Sequence, residues 1–144
     1  MACNERQALM SYIALIDGAP GGYGVSFPDL PGCVAMGDTL DEATKGAIES
    51  LREWVEETEA MGREIPAPRP VDQIVQDDEV REALSEGAIL HSVVLIRNMG
   101  RKVKANMTLD SGVLAALDAT ADRLGTNRSS LVERMAQDHL AEYA

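Results

Sequence analysis

The chain has 144 residues, with 24 Asp/Glu against 13 Lys/Arg, a formal net charge of −11, 45% apolar residues and only 3% aromatic ones. That size and balance fit one ordinary domain or two small ones, and they exclude wholesale disorder, collagen and a coiled-coil rod. Scarce aromatics exclude a base-stacking platform, and the negative total speaks against a nucleic-acid binder taken at face value.

Met1-Ala-Cys-Asn-Glu-Arg6 has no basic stretch followed by an apolar one, so it does not read as a secretory leader. No apolar run approaches the roughly 20 residues that span a bilayer, so no membrane role is expected. The two cysteines, Cys3 and Cys33, have no C-x-x-C spacing. A reducing, cytoplasmic setting is therefore expected, with Cys3 in a frayed end and Cys33 as a small core residue.

Met10–Asp17 predicts a strand, and Ala19-Pro-Gly-Gly22 a turn. Tyr23–Phe27 alternates large and small residues as a second strand. Two prolines stiffen Pro28-Asp-Leu-Pro-Gly32, and Cys33–Met36 predicts a third short strand. Thr39-Leu-Asp-Glu42 is a T-x-x-E capping box. The apolar stripe Ala43, Ala47, Ile48, Leu51, Trp54 and Val55 follows, with Glu49, Glu53, Glu56 and Glu57 opposite and Gly62 as the stop. This helix is expected to lie across the three strands. Pro66, Pro68 and Pro70 make a stiff link, and Val71–Ser85 holds one or two short helices. Ala88–Ile96 is rich in β-branched residues and predicts a buried strand returning to the same sheet.

Asn98-Met-Gly100 breaks the chain, and a domain boundary is expected there, with domains 1–97 and 98–144. Charge divides near the same place. Residues 1–87 hold 18 Asp/Glu and 6 Lys/Arg, a net of −12, whereas residues 88–144 hold 6 and 7, a net of +1. Such asymmetry suggests two jobs. Lys102–Leu109 alternates strictly, with Val103, Ala105, Met107 and Leu109 on one face and Lys102, Lys104, Asn106 and Thr108 on the other. Asp110 or Ser111 caps a helix carrying Val113, Leu114, Leu117, Ala121 and Leu124. Asn127 caps a second one carrying Leu131, Val132, Met135 and Leu140.

One short strand and two short helices cannot bury a core alone. A homodimer solves this: two strands pair as an antiparallel ribbon over four helices, and the polar face of the ribbon fits the DNA major groove. Lys104, Asn106 and Thr108 would then read base edges. Asn127, Arg128 and Ser129 at a helix start would meet phosphate, and Arg101 and Lys102 would add backbone attraction. An edge strand protected by lysines, or a helix-turn-helix over residues 113–140, are the other readings; the latter leaves the basic strand unexplained.

Residues 101–142 resemble the ribbon-helix-helix family, on Val-Lys-Ala-Asn-Met-Thr-Leu-Asp110, the Leu-Gly125 step and Asn127-Arg-Ser-Ser-Leu131. Many of its members carry Arg near the strand end where this chain has Thr108, so base preference stays open. Tyr23-Gly-Val-Ser-Phe-Pro-Asp-Leu-Pro-Gly-Cys33 and Gly37-Asp-Thr-Leu-Asp-Glu-Ala43 are similar to the HicB antitoxin family. The two resemblances together imply an α+β fold: a small antiparallel, partial ribonuclease H-like sheet with packed helices, then a ribbon-helix-helix dimerisation module. They also imply an antitoxin that covers a HicA-like mRNA-cleaving toxin and represses its own operon.

A toxin that grips RNA is basic, so the acidic first half suits it. The candidate toxin contacts are Tyr23, Phe27, Asp29, Leu30 and Pro31 in the stiff segment, and Glu53, Glu56 and Glu57 on the acidic helix face. Phe27 and Leu30 read equally well as core. No catalytic centre is expected. Asp17, Asp29 and Asp38 sit at strand ends or turns, with no carboxylate inside a strand, and His91 and His139 lack metal-ligand spacing. No cofactor is implied. The competing function is a stand-alone ribbon-helix-helix regulator whose first domain senses a ligand in an apolar pocket. Whether dimers join into a tetramer stays open.

Overall fold

In the computed structural model, which describes residues 8–143, the chain divides into two compact units, Met1–Arg97 and Asn98–Ala144. The readings of Met1–Arg6 and Cys3 lie outside the described residues.

The first unit is built on strand β1 (Leu9–Ala19), which turns at Pro20-Gly21 into β2 (Gly22–Ser26). β3 (Val34–Gly37) pairs with β2, and β4 (Ile89–Ile96) returns to the far side of β1. The antiparallel order is β3-β2-β1-β4. Facing partners Tyr12 and Val93, Met10 and Leu95, and Ile16 and Val25 put one apolar set on one face. Helix α1 (Leu40–Ala60) covers that face with Ala43, Ala47, Leu51 and Val55. Two small residues at its start let the helix approach the sheet closely.

Thr39 caps α1 by accepting from the Glu42 N–H at 3.1 Å. The Glu42 carboxylate reaches back one residue further than the usual reciprocal box, accepting from the Asp38 N–H at 3.0 Å. Gly37 sits where strand meets helix: a Cβ there would lie 2.4 Å from the Ala43 nitrogen. Gly46, inside α1, has only ordinary contacts, at 3.5 Å or more. Gly→Ala should therefore have opposite signs at the two sites. Gly46→Ala should raise the thermal midpoint, by roughly 0.5–1 kcal/mol of stability, whereas Gly37→Ala should lower it. Equal shifts in a melting experiment would refute the close approach.

After α1 the chain runs without regular structure to α2 (Val71–Ile74) and α3 (Asp78–Ser85). The Tyr12 hydroxyl anchors this stretch, donating to the Pro66 carbonyl at 2.7 Å.

Two expectations are corrected. β4, expected as a buried strand, lies at a sheet edge, so only Val93 and Leu95 are buried while Ile89 and His91 are exposed. Asp17 stands inside β1 rather than beyond its end, pairing with Gly24 across the ladder.

The second unit has α4 (Ser111–Arg123), α5 (Arg128–His139) and a closing 3-10 turn (Leu140–Tyr143). Asp110 caps α4 by accepting from Gly112, and Asn127 caps α5 by accepting from Ser130. Residues 101–110 are exposed throughout and form no strand in the single chain. A strand needs a neighbour to satisfy its N–H and C=O groups, and one copy supplies none.

Candidate functional site

The connector Phe27–Cys33 is held from three sides. Its own turns close through Leu30 N–H to the Phe27 carbonyl and Cys33 N–H to the Leu30 carbonyl, both at 3.0 Å. The Trp54 indole donates to the Pro31 carbonyl at 3.3 Å. Arg69 ties the connector to the start of α3. Its backbone N–H and guanidinium donate to Asp29, and the guanidinium also forks onto Asp77 at 2.8 and 3.1 Å. Hydrogen bonding to both carboxylates pushes the Arg69 pKa further up, and the same fork holds Asp77 below its usual range.

Phe27 (3% exposed) and Leu30 (0%) are core. In the single chain both are packed into the fold, the core alternative expected for them. The Asp29 side chain is 5% exposed and is spent on Arg69. Tyr23 is half-buried against the core, and Pro31 is exposed. Glu53, Glu56 and Glu57 stand exposed on the outer face of α1. Burial raises the Cys33 thiol to about 11, which keeps it protonated and unreactive near neutrality. A cleft of about 530 Å³ runs between connector and α3, lined by Leu15, Phe27, Leu30 and Val80 and by Asp77, Asp78 and Glu79. Among the described residues no cluster of His, Cys, Asp and Glu stands ready for a metal, and no helix is long and apolar enough to cross a membrane.

In the second unit Arg101, Lys102, Lys104, Arg128 and Ser129 line one cleft of about 600 Å³ between residues 101–109 and the two helices. Asn106 and Thr108 are exposed but outside it. Asn127 spends its side chain on the α5 cap. Two of the cations are already paired. The Arg128 guanidinium forks onto Asp118 of α4 through two 2.7 Å bonds, and Lys102 reaches Glu133 at 3.4 Å. The Arg128 fork holds the Asp118 carboxyl below its usual range. A separate groove of about 470 Å³ is mostly apolar, lined by Met107, Leu109, Val113, Leu117, Met135 and Leu140, with His139 and Glu142 at it too.

The family model described as "HicB_like antitoxin of bacterial toxin-antitoxin system" matches residues 12–136. The chain belongs to the HicB-like antitoxin family. This antitoxin is 31% identical over 134 residues to a 14.9 kDa protein from the rep-hol intergenic region of Haemophilus phage HP1, covering 91% of this chain and 98% of that one. Antitoxin HicB 1 of Photorhabdus laumondii is 43% identical over 53 residues, 37% of this chain and 34% of its own. Among solved structures, an antitoxin HicB3 crystal structure superposes with a TM-score of 0.53 at 28% identity, covering 90% of this chain and 96% of that one. A chain of a HicA3 and HicB3 toxin-antitoxin complex superposes with a TM-score of 0.50 at 28% identity, covering 58% of this chain and 95% of its own. The expected α+β fold with a four-stranded antiparallel sheet is thereby met.

Sequence reasoning missed Arg69 and Asp118 in this HicB-like chain. Arg69 lies 40 residues from Asp29, and no spacing rule links them. Asp118 and Arg128 are ten residues apart on opposite sides of a helix turn, a pairing visible only once the helices are folded back.

Proposed function

We propose that the acidic sheet unit binds and blocks a HicA-like, RNA-cleaving toxin, and that the second unit dimerises as a ribbon-helix-helix module on operator DNA to repress its own operon. The antitoxin acts in the cytoplasm by occupying the RNA-gripping surface of the toxin, without catalysis. Family membership carries the first half of this reading, and the similarity to a chain from a HicA3 and HicB3 complex supports it. Residues 1–97 hold 18 Asp/Glu against 7 Lys/Arg, a net of −11, which complements a basic partner and speeds encounter. The exposed glutamates of α1 and Pro31 are the surface left to such a partner once Phe27, Asp29 and Leu30 are assigned to the fold.

The second half rests on the unpaired segment 102–109. Val103 is 75% and Met107 63% exposed in the single chain. A second copy would pair its backbone and cover that apolar face. The opposite face would then present Lys104, Asn106 and Thr108 outward.

One experiment tests both halves. Lys104→Ala with Asn106→Ala should lose binding to duplexes from its own promoter region while toxin neutralisation in a growth assay persists. Each base-edge contact removed should cost about 1–3 kcal/mol of binding. Loss of neutralisation by the folded, dimeric double variant would defeat the division of labour.

A further inference from the structure

Residues 98–144 carry six Lys/Arg and six Asp/Glu, a net charge of zero. A DNA-binding unit without net positive charge is unusual, because phosphate neutralisation supplies most sequence-independent affinity. The geometry shows where the positive charge goes. Arg128, at the first position of α5, faces Asp118 with its Nε and Nη2 groups, each 2.7 Å from a carboxylate oxygen. Both side chains are near half-exposed, 51% and 45%, so this is a solvent-facing pair rather than a buried structural one. Lys102 and Glu133 repeat the pattern more loosely across the same cleft. Arg101, Lys104 and Ser129 are the other polar groups lining that cleft.

We propose that Asp118 is a competing anion that sets how strongly Arg128 takes a DNA phosphate. This rests on the DNA-binding reading above and concerns the regulation of that same surface. A carboxylate and a phosphodiester oxygen ask for the same guanidinium edge with the same bidentate geometry. Only one occupies that Nε–Nη2 edge at a time. While Asp118 holds the Nε–Nη2 edge, a phosphate can reach Arg128 only from its Nη1 side, beside the carboxylate charge, so the cation contributes less to DNA attraction until the carboxylate is displaced. Exposed pairs are weak, so the displacement is reversible and modest. Asp118 therefore lowers sequence-independent attachment without blocking it, leaving more of the total affinity to the base-reading residues.

The test uses the full chain and a labelled 30-base-pair duplex of random sequence, with binding followed by fluorescence anisotropy across salt concentrations. Asp118→Asn should bind roughly two- to fivefold tighter at about 50 mM salt, the free-energy scale of one exposed ion pair. Its log–log salt dependence should steepen by about 0.9, one extra phosphate contact, so that the gain falls away by about 200 mM. Asp118→Asn combined with Arg128→Ala should show no gain over Arg128→Ala alone. Asp122→Asn removes the same charge from the next turn of α4 and should leave the slope unchanged. An equal gain from Asp122→Asn would overturn the proposal in favour of general charge. Weaker binding by folded Asp118→Asn would overturn it too, because the carboxylate would then be orienting Arg128 rather than competing for it. No binding of any duplex, random or promoter-derived, by wild type and variant alike would instead remove the DNA-binding reading itself, and the proposal with it.

Discussion

Leu51→Ala is expected to destabilise the sheet unit by about 2–5 kcal/mol, the usual cost of emptying a fully buried leucine site. Leu51 is completely buried, midway along α1, against a sheet face made of Tyr12, Ile16, Val25 and Val93. Its preceding neighbour in the stripe, Ala47, has no length to move into the cavity, and Val55, the next one, is β-branched and stiff. In calorimetry the midpoint should fall by on the order of 10 °C or more for a unit of this size. A fall of only a degree or two would mean that α1 does not seal the sheet as described.

The second large effect concerns assembly. Met107→Asp should abolish the proposed ribbon dimer, leaving a monomer at low micromolar concentration where the unaltered chain reads twice that mass by light scattering. Met107 lines both clefts of the second unit and is 63% exposed in the single chain. In the ribbon dimer it would be buried beneath paired strands, where an unpaired carboxylate costs several kcal/mol. Duplex binding should disappear with the dimer, while the melting transition of the sheet unit should not move. A variant that stays dimeric would show that copies do not meet through this segment.

The elements most legible in the sequence were those whose signals are local. Thr39 and Glu42 announced the start of α1, and its alanine–leucine stripe announced the buried face. Asn127 likewise announced α5. What stayed hidden depends on neighbours. The β-branched run Ala88–Ile96 reads as a buried strand, yet an edge position leaves half of it in water. The composition of a strand does not reveal its place in the sheet order. Phe27 and Leu30 were equally readable as contact or core. What the sequence could not supply is the pair of turns that folds the connector inward onto the sheet. The ion pairs of Arg69 and Arg128 were invisible, because a charge finds its partner through tertiary geometry and not through spacing.

The position of β1 has a consequence for how the chain reaches its structure. β1 is an inner strand with two neighbours that arrive at very different times during synthesis. β2 follows across a tight turn, whereas β4 begins only at Ile89, after α1, α2 and α3. Until then the nascent chain carries Leu9–Ile16 as an open edge with no ladder on one side. Closing it is a long-range event, slow compared with the hairpin and helix that precede it. A chain ending before Ile89 would therefore keep that edge of the sheet open, and an open edge of this kind favours aggregation.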